Sequence, residues 1–286
     1  MDAQAVSRDT TALRITALVF TALSVAPRPA DAQTTPLSEV LRDVGMYVEG
    51  YFSRVQHVIG VEKVTVQPVS RDLKNDGRTR NLVYELRLDW TPGAPADVRR
   101  ELVRVDGRPS RPRDEAKCMD TAAITPEPLE FLLPENQGRY VFADTGSRTM
   151  DGRPVRTVSF RSRAAQRAKT SWKNGCGSLD PGRVNGRIWI DVSSNEVRRV
   201  DSGFVGRLEI RVPRDQPWTD TERDLTFERM DTSIRYRAVR FDDPDETFLL
   251  PATIDSLTLI RNATSFRVRH EYSGYRRFVT GGRIVE

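Results

Sequence analysis

The chain has 286 residues and a formal charge of +5, with 45 Lys and Arg against 40 Asp and Glu. Lysine accounts for only Lys63, Lys74, Lys117, Lys169 and Lys173, and the arginines alternate with acids, as in Arg198-Arg199-Val200-Asp201. A nucleic-acid reader gathers its cations on one face or arm, so this spread speaks for a solvated surface and no nucleic acid, while leaving anionic headgroups or acidic glycans open.

The first element is Ile15–Ala26, an apolar run preceded by Arg8 and Arg14 and followed by Ala30-Asp31-Ala32. A basic start, a short apolar run and an A-x-A site make the layout of a secretory signal, and about a dozen residues are too few to span a bilayer. Cleavage is expected near Ala32, which places the mature chain in the periplasm or outside the cell. Residues 33–286 are then expected as one β-rich domain that does not span the membrane, since no later apolar run reaches that length.

Residues 37–58 read as an amphipathic helix. Leu37, Val40, Leu41, Val44, Val48, Tyr51, Phe52 and Val55 recur at three- and four-residue spacing, and Glu39, Arg42, Asp43, Glu49 and Arg54 fill the other side. From residue 61 the period becomes two. Strands are expected around Leu82–Trp90, Leu102–Val105, Tyr140–Phe142, Val155–Phe160, Arg187–Ile190, Val205–Val212, Leu225–Phe227, Ile234–Ala238, Ile254–Ile260 and Ser265–Tyr272. Asn75-Asp76-Gly77, Asp106-Gly107, Asp151-Gly152, Ser193-Ser194-Asn195 and Gly281-Gly282 supply hairpin turns between them.

Residues 111–137 and 163–184 are rich in Pro, charge and small residues and read as excursions, with Leu129–Pro134 a short buried helical turn. Each excursion carries one cysteine, Cys118 or Cys176. In an oxidising compartment an even count suggests a disulfide, which would close a loop of roughly 59 residues and stabilise by about 4 kcal/mol. The fold class is therefore mainly β (α+β): a large curled antiparallel sheet, a meander or half-barrel, with the N-terminal helix over its concave face.

Several segments together resemble an uncharacterised secreted bacterial β-rich family: Tyr47-Val48, Val103–Pro109, Pro128–Pro134, Gly186–Asp191 and Glu271–Phe278. That resemblance implies a structural likeness and no catalytic assignment. More distantly, the order of signal, helix and curled meander is similar to bacterial lipoprotein carriers of the LolA/LolB type. The Gly186–Asp191 hairpin, continued by Glu196–Arg199, is part of that likeness, which implies an apolar cavity under a helical lid.

Catalytic signatures are sparse. His57 and His270 are the two histidines, and both read as surface or edge residues. No nucleophile elbow, His-Glu-x-x-His pair, phosphate loop or dinucleotide fingerprint occurs. Asp242–Glu246 lacks the spacing of a calcium loop and reads as a solvated turn, so neither a metal nor a cofactor is expected. Trp189 stands out instead. In Ile188-Trp189-Ile190 both strand faces are apolar, so both are covered or one meets a cavity. Phe227, Tyr236, Phe266 and Tyr272 are candidates to join it on the concave side, against the alternative that all five are ordinary core. The leading expectation is a non-enzymatic envelope carrier for a lipid or other amphipathic ligand. A ligand-free scaffold and an unrecognised glycan hydrolase remain as alternatives.

Overall fold

A period-two sequence this long must pair with itself, and nearly every strand finds its partner through a short turn. The computed structural model describes residues 35–54, 58–89, 97–114, 129–163, 168–173, 176–216, 222–242 and 245–277. The signal segment, His57 and Cys118 lie outside the described residues. Helix α1 is Leu37–Arg54. Strands follow as β1 (Val58–Val69), β2 (Arg80–Asp89), β3 (Asp97–Val105), β4 (Arg108–Pro109), β5 (Tyr140–Met150), β6 (Arg153–Ser162), β7 (Lys169–Lys173), β8 (Cys176–Asp180), β9 (Val184–Asp191) and β10 (Val197–Phe204). The last four are β11 (Leu208–Arg211), β12 (Asp224–Asp242), β13 (Asp245–Arg261) and β14 (Ser265–Arg277).

Twelve strands make one antiparallel sheet, curled and not closed, in the order β4-β3-β2-β1-β14-β13-β12-β10-β9-β6-β5, with β11 beside β12. It is not a single meander. Two runs of hairpins meet where the first strand pairs the last, from Val58 opposite Arg277 to Val69 opposite Ser265. The chain between β4 and β5 therefore runs from one sheet edge to the other. The end of that crossing forms a 3-10 turn at Glu130–Leu132 and a short helix, α2 (Pro134–Gln137), that pack beside α1. Leu129 and Leu132 are buried there, as expected of that turn. Two connections carry the hairpin chemistry read from the sequence. Asp106-Gly107 and Asp151-Gly152 both take positive φ at each residue, the geometry of a two-residue turn matched to strand twist.

Three boundaries differ from expectation. The helix does not reach 58, because Val58 already belongs to β1. The strand expected at 205–212 is shorter: after β10 ends at Phe204, Gly206 takes φ +104° and β11 spans Leu208–Arg211. The segments around 225–227 and 234–238 are one 19-residue strand, interrupted only by bulges. Residues 169–180 form a separate hairpin of β7 and β8 off the main sheet.

Helix α1 lays Val40, Val44, Val48, Tyr51 and Phe52 on the sheet, against Val158, Ile188, Ile190, Val200, Ile234 and Ile254. Of these, Val158, Ile188, Val200, Ile234 and Ile254 lie opposite one another in register, so they form one apolar row across β6, β9, β10, β12 and β13. A smaller cluster of Val64, Val66, Leu82, Tyr84 and Val105 continues the same face into β1, β2 and β3. No helix among the described residues is long and apolar enough to cross a membrane.

Candidate functional site

Strand alternation assigns the polar residues to two places. On the helix-covered face, Glu62 occupies a position between Gly60 and Val64 whose parity calls for an apolar side chain. It is fully buried, and β14 places His270 and Tyr272 beside it. Glu62 Oε1 accepts from the Tyr272 hydroxyl at 2.9 Å and lies 2.9 Å from His270 Nδ1. Arg100 of β3 donates from Nε to Oε2 at 2.8 Å. Burial alone would raise the Glu62 pKa, but the hydrogen bond from His270, the Arg100 charge and the Tyr272 hydroxyl outweigh it and hold the carboxyl below its ordinary value. The ionised carboxylate only accepts, so His270 carries a proton on Nδ1. His270 Nε2 and the Tyr236 hydroxyl are buried without a hydrogen-bond partner among the described residues.

The expectation that His270 is a surface or edge residue is thus corrected. β14 is interior to the sheet, flanked by β1 and β13, and His270 shares the apolar row of Val64 and Ile254. The signal was present in the sequence as a Glu and a His at apolar parity.

On the opposite face lies an open groove of about 730 Å³, crossing strands β5, β6, β9, β10, β12, β13 and β14. Its side chains alternate with the core row: Arg187 and Trp189 flank Ile188, Asp201 follows Val200, and Asp255 follows Ile254. Trp189 is nine-tenths buried, with the Arg199 guanidinium 4.7 Å and that of Arg187 5.9 Å from its ring centroid. It is therefore an apolar wall that holds two cations in place. Arg199 is committed further, binding Asp201 through both carboxylate oxygens at 2.7 Å each. Asp231 is held by Arg229, and Asp255 by Arg269 at 3.4 Å. Arg161, Arg187 and Arg267 line the groove with no ion pair among the described residues, and the buried Arg187 Nε has no partner.

The five aromatic residues singled out from the sequence do not meet in one place. Tyr236 and Tyr272 belong to the core beneath α1. Phe266 packs on the smaller cluster. Phe227 pairs with Ile260 and Leu208 near the start of β12, just before a bulge. Trp189 alone lines the groove. Cys176 begins β8, and the pairing of Cys118 with it falls outside the described residues. In the acidic run at 242–246, Asp242 ends β12 opposite Asp245 of β13; Asp245 pairs with Arg240 at 3.0 Å and Glu246 with Arg277 at 2.6 Å. No group of three or more His, Cys, Asp or Glu residues placed to hold a metal ion occurs among the described residues.

No protein-family model matches the chain, and no curated protein matches it. Among solved structures, it is similar to a putative outer membrane lipoprotein-sorting protein domain from Vibrio parahaemolyticus, with 9% identity and a TM-score of 0.43 over 86% of this chain and 95% of that one. A DUF1329 family protein from Desulfovibrio piger gives 11% identity and a TM-score of 0.38 over 86% and 95%. A LolA superfamily protein from Nitrosomonas europaea gives 10% and 0.31 over 85% and 97%.

Proposed function

We propose that the protein is an exported, non-enzymatic binding module of the cell envelope that holds an amphipathic ligand in the groove beside Trp189. One observation carries this reading. A groove of about 730 Å³ combines apolar side chains (Trp189, Val141, Leu257) with arginines that have no carboxylate of their own. Apolar contact supplies affinity there, and unspent guanidinium forks supply orientation. Each carboxylate lining the groove is engaged by an arginine, which favours binding over acid–base chemistry.

A second reading places the ligand under α1, and it rests on the unpartnered Tyr236 hydroxyl and His270 Nε2. A buried polar atom without a partner costs about 1–3 kcal/mol, and a ligand hydroxyl or carbonyl would recover it. Native mass spectrometry of protein purified from the exported fraction tests both. The groove reading expects a bound species that Trp189→Ala releases and Tyr236→Phe retains; the reverse pattern favours the second reading. A parent chain without any bound species would overturn both. The same spectra check export: a mature chain starting at Gln33 and two hydrogens lighter than its reduced form reports cleavage after Ala32 and a Cys118–Cys176 bond.

A further inference from the structure

Resting on the groove reading above, the arrangement of its charges narrows the ligand. Arg161, Asn185, Gly203, Asp231, Leu257 and Arg267 stand opposite one another in register across six adjacent strands. Arg161 and Arg267 thus mark the two ends of one row, five strand spacings or about 24 Å apart along the sheet. Arg187 lies one row over, diagonal to Arg161. The free cations are therefore spread along the groove and not gathered at one point, while the acids between them are neutralised by Arg199, Arg229 and Arg269.

Between those ends the groove face is small and polar, with Asn185 and Gly203 in the same row and Ser233 one row over. An acyl chain gains from enclosed apolar walls, whereas this groove is open and its apolar Val141 and Leu257 stand at opposite ends, beside Arg161 and Arg267. An extended peptide gains from free backbone groups, but the floor strands spend theirs on one another in the ladders of β10, β12, β13 and β14. A polymer with hydroxyls on every unit and carboxylates at intervals matches both features: hydroxyls meet Asn185 and Ser233, and carboxylates meet planar guanidinium forks.

We infer that the groove takes an acidic oligosaccharide, lying across the strands with its carboxylates on Arg187 and Arg161 at one end and Arg267 at the other. Trp189 is a positioning residue, acting through Arg187 and Arg199.

The test is titration calorimetry of the mature protein with a galacturonic acid hexamer, its fully methyl-esterified form, an acidic peptide of matched charge, and vesicles containing phosphatidylglycerol. The expected result is binding of the acid hexamer alone, weakened at least tenfold by Arg161→Gln with Arg187→Gln and by a rise in salt. Arg267→Gln weakens it less, and both variants keep the parent melting temperature. Equal binding of the methyl ester, released by Trp189→Ala, overturns the acidic class and leaves the groove reading standing. Binding of the peptide or the vesicles in place of the hexamer overturns the saccharide in the same way. Binding that is unchanged in every groove variant overturns both.

Discussion

The two faces of this sheet handle charge in opposite ways. On the face beneath α1, ionisable groups are few and fully enclosed: Glu62, His270 and Arg100 form one knot with Tyr272 at the border of two apolar clusters. On the other face charge is abundant, half-exposed and laid out in rows, with pairs such as Arg199–Asp201 bridging neighbouring positions. Enclosed charge is costly to break, because a partner left behind cannot be resolvated; exposed charge is cheap to change and is free to meet a ligand. Stability should therefore reside in the first face and binding in the second.

The largest effect is expected at Glu62. Glu62→Gln keeps the shape but leaves the nearly buried Arg100 without its counter-charge, which should lower unfolding free energy by about 3–5 kcal/mol in chemical denaturation. Replacing both members, Glu62→Leu with Arg100→Met, should return most of that loss, since a packed apolar pair often matches a buried ion pair. A double variant as unstable as the single one would show that the hydrogen bonds, and not the charges, matter.

Acid provides a second view of the same knot. The folded-state pKa of Glu62 lies below the ordinary 4.5, so the unfolded chain takes up its proton first as pH falls. The contribution of Glu62 is fully present above 4.5 and is lost as pH drops through the folded value. Denaturation midpoints measured downward from pH 5 should fall more steeply in the parent chain than in Glu62→Gln. Parallel slopes would mean that the carboxyl is no more acidic folded than unfolded.

Gly186 couples the two faces. A Cβ there would strike the Asp201 carbonyl of the neighbouring strand and come within 2.6 Å of the Phe160 ring, which is part of the core under α1. The carbonyl is fixed by the ladder of β9 and β10, so it cannot yield without loosening that pairing. Gly186→Ala should cost about 1–3 kcal/mol by overpacking, and it should weaken ligand binding, since Asn185 and Arg187 on either side line the groove. Lost stability with intact binding would show that the groove tolerates movement of its floor.

Much of this architecture was legible in alternation and turn chemistry. The stripe on α1, the Asp-Gly hairpins and the apolar positions of β1, β2, β13 and β14 follow from two periods and one turn rule. What escaped has a common cause: bulges change parity. In β10 the register shifts between Val197 and Arg199, so Val197 and Val200 both face the core at a spacing that reads as neither strand nor helix. A shift at Phe227 and Arg229 similarly hides the continuity of β12. Trp189 escaped for another reason. With isoleucine on both sides, sequence alone could not choose its face, and pairing with Thr157 and Arg199 decides it. Glu62 and His270 were visible at apolar parity, but only the pairing of the first strand with the last brings them together.

The smallest effect separates the faces most sharply. Arg269 and Asp255 form an exposed pair at 3.4 Å, with side chains 51% and 42% accessible. Arg269→Gln should change stability by less than about 1 kcal/mol, since water and salt already screen such a pair. Its effect on the groove should be larger in proportion. Asp255 lines the groove and would lose its counter-charge, adding an unneutralised carboxylate between Arg187 and Arg267. An anionic ligand should bind more weakly to Arg269→Gln at low salt, and the difference should shrink as salt rises toward 1 M, where the screening length falls to about 3 Å. Reversal of that trend, with tighter binding in the variant, would mean that the ligand brings positive charge and uses the acids of the groove.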